Sequence, residues 1–385
     1  MKRILAFLLA VSLCLSLSAC KKDAPNTSSA PTAVAPTIQE TLVKSGAEIL
    51  SYNPLTGAAL ADGVTAGQRP VAVMINNAHI ALPQRGISSA DAIFEMVTEG
   101  GITRLMALYS DYRSIPQVGP VRSVRDQHLQ FAIPLNAILV HIGSSVYAEN
   151  LLNEYHYQDI DGRYLGTSSF WLDNERAKTR GSEHCWYTDA TMLTAGMDKQ
   201  KINATGENHP LFSFVKSGAA PVIPGDGDAP DVLFHFSDEN VTQLTFNAAD
   251  GLYYKKAYGE PHIDELNGTQ LSFQNVVVLT AKIGLKPDQY CTDFLLTKGT
   301  GYYIYGGKYK EIHWKKGAPE APIILTDTNG NPVEVNSGKS YIAVLGTDKV
   351  STLMMDGVTP LVPPPVAAST STSTAASSTS TTPAA

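Results

Sequence analysis

The sequence is poor in cysteine and in charge, and it contains no long basic run. Four of its 385 residues are cysteines, 17% are charged, and the formal net charge at pH 7 is −7. A mildly acidic chain without a basic patch lacks the feature that supplies most of the affinity for nucleic acid, so we predict no nucleic-acid partner. Beyond residue 20 only Cys185 and Cys291 remain. An oxidising compartment would allow them to pair, but without the pattern of a disulfide scaffold we expect two free, buried thiols.

Recognisable motifs for metals, cofactors and common catalytic sets are also missing. The nine histidines include no pair spaced i, i+4, and no Cys or His pair brackets a short turn. There is no phosphate-binding glycine loop, and HIGSS at 141–145 does not match the G-x-S-x-G turn of serine hydrolases. We therefore predict no metal site and no cofactor, and the sequence leaves open whether the protein is an enzyme.

The N-terminus is typical of a bacterial lipoprotein signal. Two basic residues precede an apolar stretch, residues 4–17, which is too short for a comfortable membrane span. The stretch ends in Leu-Ser-Ala-Cys, and this lipobox predicts removal of residues 1–19 as a signal peptide and acylation of Cys20 by a palmitate-type chain. We expect an extracytoplasmic protein, lipid-anchored to the outer face of the cell membrane. The alternative is an ordinary secretory signal that leaves Cys20 free.

Composition divides the rest of the chain. Residues 20–48 begin with the lipidated cysteine and are rich in Ala, Pro, Ser and Thr, which predicts a disordered spacer. Residues 351–385, rich first in Pro and then in Ser and Thr, predict a disordered tail. About 300 residues lie between these ends, enough for two domains. The Pro- and Gly-rich stretch 216–230 predicts the linker, with an N-terminal domain at 49–215 and a C-terminal domain at 231–350.

The predicted fold class is two-domain α+β. In the N-terminal half, buried strands at 71–75 and 136–142 and a helix at 146–155 predict a mixed α/β domain. Short strands with Asn-Gly, Asp-Gly and Gly-Gly turns predict a mainly antiparallel β domain in the C-terminal half. That half is rich in tyrosine, which suggests either an exposed strip that stacks on sugar rings or, more commonly, aromatic pairs in the core.

A charged β-hairpin is predicted at 91–110. A two-residue turn at 100–101 would set the register so that Glu95, Glu99 and Arg104 share one face of the hairpin.

A pair of arginines follows the hairpin. Pro120 is predicted to open a helix with Arg122 and Arg125 in its first turn. Because the helix dipole disfavours cations there, the pair needs an anion. That anion is either Glu95 and Glu99 or the phosphate or carboxylate of a ligand. We expect these two arginines, Arg104 and the two glutamates to converge in one pocket or ionic network.

Five further residues are candidates for a site. Ser144 and Ser145 lie in a turn between a strand and a helix, where they either bind an anion or, more commonly, cap the helix. His128, His141 and His184 are candidates for assisting Glu95 or Glu99 in acid–base chemistry. For His184 a simple surface or hydrogen-bonded role is the commoner case.

Taken in order, these segments resemble the YerB-like lipoprotein family, domain of unknown function 3048, in both its N-terminal and its C-terminal domains. The matching stretches include RPVAVMINN at 69–77, EGGITRLMALY at 99–109, VGPVRSVR at 118–125, GTGYYIYGGKYKEIHW at 299–314 and DTNGNPVEVNSGKSYIAVL at 327–345. The resemblance implies a two-domain lipoprotein and brings no established activity, substrate or cofactor.

Three functions are compatible with these features. The preferred hypothesis is a binding protein that holds an anionic or polyhydroxylated cell-envelope ligand, such as a cell-wall glycopolymer, at the charged hairpin and arginine pair. The first alternative is a cell-envelope hydrolase or transferase with a Glu/His/Arg site. The second is a structural lipoprotein that docks a protein partner and whose charges form an internal network. An open cleft would favour the first two, and buried, mutually paired charges the third.

Overall fold

The computed structural model describes residues 38–362, which contain nineteen β-strands and six short α-helices. The helices are α1 Ile38–Lys44, α2 Asp126–Ala132, α3 Val146–Glu154, α4 Gly162–Leu165, α5 Asn174–Arg180 and α6 Ala190–Gln200. The strands are β1 Val71–Asn76, β2 Ala92–Val97, β3 Thr103–Tyr109, β4 Ile138–His141, β5 Asp159–Asp161, β6 Trp171–Leu172, β7 Trp186–Tyr187, β8 Gly227–Asp228, β9 Asp231–His235, β10 Val241–Asn247, β11 Leu252–Ala257, β12 Glu260–Pro261, β13 Ser272–Phe273, β14 Asn275–Leu285, β15 Thr292–Leu295, β16 Lys298–Tyr305, β17 Lys308–Lys315, β18 Ile324–Thr326 and β19 Ser340–Gly346. No α-helix within this range has both the length and the apolar character needed to cross a bilayer.

One twelve-stranded sheet is shared by both halves of the chain. Its order is β18-β17-β16-β14-β19-β2-β3-β1-β4-β5, and β15 and β8 pair with β14 and β17. Strand β19, near the end of the second half, lies parallel to β2 of the first half, with Ile342 opposite Phe94. The linker predicted at 216–230 therefore does not mark a break in this sheet, because backbone hydrogen bonds join the two halves directly.

The two halves of the chain differ in strand direction, as the sequence predicted. In the first half β1, β4 and β5 are parallel neighbours, while β2 and β3 form an antiparallel hairpin, so the sheet there is mixed. The second half is mainly antiparallel, with hairpins β10–β11 and β16–β17 and a separate five-stranded sheet β12-β11-β10-β9 that also includes β13.

Both faces of the large sheet are buried. Along β1, Val71 and Val73 belong to the buried cluster that also contains the core residues of the five-stranded sheet, and we call this side the sandwich face. Ala72 and Met74 point the other way, toward α2 and α3, and we call that side the helix face. A strand covered on both sides needs apolar residues at every position, which explains why VAVMI reads as an unbroken apolar run.

The β2–β3 hairpin forms, but its register differs from the prediction by one residue. The turn has three residues, Glu99–Gly101, instead of two, and both of its glycines have positive φ. As a result Glu95 pairs with Leu105, and Arg104 pairs with Met96. A shift of one residue moves a side chain to the opposite face of a sheet, so Glu95 lies on the sandwich face and Arg104 on the helix face. The prediction that they share a face is wrong.

Pro120 does not open a helix. Residues 118–124 are extended because their backbone groups pair with β1, with the 186–188 segment and with neighbouring loops. Helix α2 begins later, at Asp126, with Arg125 as its N-cap residue. Tertiary backbone pairing thus overrides the local preference of proline for a first helical turn. Arg122 consequently lies in an extended segment, not in a helix.

Parts of both predicted disordered ends are folded. In the spacer predicted at 20–48, α1 buries Leu42 completely, and in the tail predicted at 351–385, Leu353 is also completely buried. Single apolar residues that dock on an existing surface leave no periodic pattern, so composition does not reveal them. Residues 1–37, which include the signal peptide and Cys20, and residues 363–385 lie outside the described residues.

Two predictions about buried side chains are confirmed. Cys185 and Cys291 are free and buried. In the tyrosine-rich half, Tyr253, Tyr303 and Trp314 are at most 2% exposed. These three side chains therefore belong to the core, which favours the core interpretation for them over a sugar-binding strip.

Candidate functional site

Three arginines lie together on the helix face, and we call Arg104, Arg122 and Arg125 the arginine cluster. Strand β3 carries the first, the extended segment before α2 carries the second, and the N-cap of α2 is the third. Glu99, in the hairpin turn, pairs with Arg125 through two bonds, Nε–Oε1 at 2.7 Å and Nη2–Oε2 at 2.9 Å. Burial raises the pKa of Glu99, but this bidentate pair outweighs burial and holds the pKa below its usual value.

Arg104 is the most buried member of the cluster. It is 4% exposed, and its Nη1 donates to the backbone oxygen of Ser123 at 2.9 Å. Its Nε finds no hydrogen-bond partner among residues 38–362. Burial and then the charges of Arg125 and Arg122 lower the pKa of Arg104 to about 9. The side chain is still a cation at neutral pH, and an anion beside it would stabilise it.

Arg122 is also short of partners. Its Nε is buried and donates no hydrogen bond to any residue of the described chain. Burial lowers its pKa, Arg125 lowers it further, and Glu183 opposes the change. The side chain of Glu183 is 54% exposed, so much of its charge is screened by water.

The charges of the arginine cluster do not balance. One carboxylate, Glu99, forms a direct ion pair with one of the three arginines. The nearby carboxylate of Asp126 is paired elsewhere, with Lys286 at 2.8 Å. Positive charge is therefore in excess, and two guanidinium groups retain an unused N–H donor. This combination suits an anionic ligand, because guanidinium groups bind carboxylates and phosphates through paired hydrogen bonds.

A hairpin arm from the second half of the chain lies over the arginine cluster. It consists of the end of β14, beyond the large sheet, paired with β15. Lys286 of the arm binds Asp126, and Thr292 accepts a hydrogen bond from Gln127 at 3.1 Å. Tyr290, at the tip, is close enough to Arg104 to affect its pKa. The second half therefore contributes walls to a site whose charged residues come from the first half.

Two of the predicted histidines border the cluster. His128 is completely buried beneath it, and burial followed by the charges of Arg104 and Arg125 holds its pKa well below the usual value. His184 lies at its edge, where its Nδ1 accepts a hydrogen bond from Asn76 Nδ2 at 2.7 Å. That bond leaves the proton of a neutral ring on Nε2, which lies 3.6 Å from Glu183 Oε1.

Glu95 does not join the cluster. On the sandwich face its Oε2 accepts a hydrogen bond from Tyr341 at 2.7 Å and pairs with Lys255 at 3.2 Å. Its Oε1 accepts from Thr103 at 2.7 Å and Asn77 at 3.1 Å. The expected convergence of five charged side chains is therefore wrong for Glu95 and correct for the other four, and Glu95 belongs to a buried network that spans the two halves.

The serines of the HIGSS turn serve the local structure. Ser145 is the N-cap of α3 and accepts a hydrogen bond from the Ala148 amide at 3.2 Å. Ser144 donates to Glu149 at 2.7 Å. The capping interpretation is confirmed for Ser145, and among the described residues neither hydroxyl is hydrogen-bonded to the arginine cluster.

His141 lies in a group of possible metal ligands that the sequence did not reveal. Its ring is buried beside Asp159 and Asp161, and one ligand atom from each of the three lies within 4.8 Å of the others. Asp159 follows His141 by 18 residues, far outside the spacing of sequence motifs for metals. The pairing of parallel strands β4 and β5 brings them together, and an alternating Asp-Ile-Asp strand was the one available signal.

Comparisons with known proteins agree on one family. Residues 55–203 match the model described as "Protein of unknown function (DUF3048) N-terminal domain", and residues 232–342 match the corresponding C-terminal domain. A Bacillus subtilis (strain 168) protein described as "Putative lipoprotein YerB" is 29% identical over 291 residues, covering 74% of this chain and 81% of the relative. A crystal structure of YerB protein from Bacillus subtilis matches with a TM-score of 0.66 and 25% identity, over 76% of this chain and 96% of that one.

Proposed function

This chain belongs to the DUF3048 family, and from that premise we propose that it is a lipid-anchored cell-envelope protein whose arginine cluster binds an anionic ligand. The description of the Bacillus subtilis relative as a lipoprotein supports the anchor, and so does the lipobox that ends at Cys20. The observation that carries the binding proposal is the pair of buried Nε atoms, on Arg104 and Arg122, that lack hydrogen-bond partners in the described part of the chain.

The proposed ligand is a cell-wall glycopolymer that bears phosphate or carboxylate groups. Such a polymer lies where an anchored protein on the outer face of the membrane would meet it. The excess positive charge of the cluster favours an anion over a neutral sugar. Arg122 is only partly buried, so its guanidinium can contact a ligand directly. The buried Arg104 adds a second positive charge that attracts the same anion.

Binding has more support than catalysis. The enzymatic alternative requires Glu95 or Glu99 to work with a histidine. Glu95 lies on the opposite face of the sheet and is paired with Lys255. Glu99 forms a bidentate ion pair with Arg125. His128 is completely buried, and burial holds its pKa well below the usual value, so it is poorly placed to exchange protons with a ligand. The structural alternative is supported for Glu95, whose buried network joins the two halves of the chain.

Arg122→Gln tests the binding proposal. We expect the affinity for purified anionic cell-wall polymer to fall about 10- to 100-fold, because a charge-assisted hydrogen bond contributes about 1.5–3 kcal/mol. Stability should change little or increase, since the substitution removes one of three neighbouring cations. Titration calorimetry with the polymer and with inorganic phosphate measures the first effect, and urea melts measure the second.

The matched control for that test is Arg113→Gln, which removes an arginine whose side chain is 43% exposed and paired with Asp111. It should leave the affinity unchanged. Equal binding by Arg122→Gln and the parent protein would contradict a ligand site at the cluster. A loss of several kcal/mol of stability in Arg122→Gln would instead assign the cluster a structural role.

Cys20→Ala tests the anchor. We expect the variant to lose incorporation of labelled palmitate and to be recovered outside the membrane fraction or as unprocessed precursor, because the acyl chains supply the membrane affinity. Cys14→Ala, a cysteine of the predicted signal peptide, is the control and should be labelled and retained like the parent. Palmitate labelling of Cys20→Ala at the parent level would show that the lipobox assignment is wrong.

A further inference from the structure

A second site lies at the carboxyl ends of two parallel strands. His141 ends β4 and is directly opposite Asp161, which ends β5, while Asp159 lies two residues earlier on the same side of β5. His141 is fully buried and Asp161 is 1% exposed, whereas the side chain of Asp159 is 23% exposed. From this geometry we infer that the three residues bind a divalent metal ion of the first transition row. The inference is independent of the arginine cluster.

The hydrogen bonds of His141 orient it as a metal ligand. Its Nδ1 is 2.7 Å from the backbone oxygen of Gly143, which can only accept, so Nδ1 carries a proton. In the neutral ring the Nε2 lone pair then faces Asp159 Oδ2, 2.7 Å away. Two lone pairs at this distance repel each other unless a proton or a cation neutralises them. A backbone carbonyl that fixes Nδ1–H is the usual support of a metal-binding histidine.

The surrounding charges favour a cation. Asp161 Oδ1 accepts hydrogen bonds from the amides of Gly143 at 3.1 Å and Arg163 at 2.9 Å, and its Oδ2 pairs with Arg163 Nε at 2.7 Å. These bonds hold the carboxylate in place. Arg163 also pairs with Glu149 at 3.1 Å, and the cavity wall beside it carries three carboxylates, Glu149, Asp159 and Asp161, against this one arginine. The excess of negative charge is opposite in sign to that of the arginine cluster.

The site opens into a cavity that leaves room for further ligands of the metal. The cavity has a volume of about 300 Å³, and its walls include Asp159, Asp161, Arg163, His156 and Tyr164. Three protein ligands with an open side are the arrangement of a metal that also binds water or a small molecule. One nitrogen and two carboxylate oxygens suit Zn²⁺ or Mn²⁺ better than a thiolate-preferring ion.

The test is titration calorimetry of the full-length protein in detergent with ZnCl₂ and MnCl₂. We expect saturable binding of one ion per chain by the parent. Asp159→Asn should weaken it at least about tenfold, because loss of even a supporting residue around a metal weakens binding about 10- to 100-fold. Asp159 is the residue to change because its partial exposure tolerates the amide. Asp198→Asn, on the exposed side of α6, is the matched control and should bind like the parent.

Two results would overturn the inference: no saturable binding of either ion by the parent, or equal binding by Asp159→Asn and the parent. The first would mean that a proton, not a metal, bridges His141 and Asp159, and the second that the ion binds elsewhere on the chain. Arg122→Gln should keep full metal binding, so failure of the metal site and failure of the proposed anion site are told apart by the same set of variants. Melting curves without added metal confirm that each variant is folded.

Discussion

Lys255→Met should destabilise the protein by about 3–5 kcal/mol, because it leaves the carboxylate of Glu95 buried without its partner cation. The two charged atoms are 3.2 Å apart, and the side chains are 1% and 2% exposed. Lys255 comes from β11 in the five-stranded sheet, whereas Glu95 comes from β2 in the large sheet. The pair thus connects the two sheets, and its loss should weaken the packing between them. Urea melts of the parent and the variant measure the effect.

The double variant Glu95→Gln/Lys255→Met should recover most of the lost stability, since replacing both members of a buried ion pair is often nearly neutral. A double-mutant cycle then isolates the coupling of the pair. Lys256→Met, at the next position of the same strand and partly exposed, is the control and should change stability little. A loss below about 1 kcal/mol for Lys255→Met would contradict a buried charge on Glu95. None of these variants should affect binding at the arginine cluster.

Acidification from pH 6.5 to pH 5 should cost about 3 kcal/mol of stability through two buried histidines. Burial, followed by the charges of Arg104 and Arg125, holds the pKa of His128 well below its usual value. Burial, followed by Lys255, does the same to His262. Below about pH 6.5 the unfolded chain therefore binds more protons than the folded chain. The contribution to stability is present above that pH and is lost as the pH falls.

Urea melts at several pH values between 7 and 5 measure this dependence. His128→Leu should remove about half of it, because that ring then has no proton to take up on unfolding. The position is fully buried, so an apolar side chain suits it. His313→Gln, at an exposed position of β17, is the control and should leave the dependence unchanged. Stability that stays level down to pH 5 would mean that the folded protein accommodates protonated rings at both positions.

The sequence by itself determined the features whose cause is local. The apolar run VAVMI predicts a buried strand, and β1 is that strand. The two serines before Val146 predict a capped helix start, and Ser145 is the one that caps α3. The strings at 69–77, 99–109 and 118–125 already pointed to the family. In each case neighbouring residues contain the whole pattern, so no knowledge of distant contacts is needed.

Most of the charged residues of the candidate site were also found from the sequence. The structure brings together Glu99, Arg104, Arg122 and Arg125. The helix that was predicted to begin at Pro120 is not what positions the two later arginines. Glu95 was assigned to the wrong face because the sequence does not distinguish a turn of two residues from one of three. A single residue in a turn reverses which side chains of a strand face each other across a sheet.

The tertiary structure alone decided which strands are neighbours. Tyr341 and Glu95 are 246 residues apart, yet they share a hydrogen bond because β19 inserts beside β2. The hairpin arm over the arginine cluster and the approach of Asp159 to His141 depend in the same way on distant pairing. Closing such long loops has an entropic cost that only burial of the complete core offsets. No local pattern in the chain encodes that balance, so the sequence located the charged residues while the assembled sheet decided which of them meet.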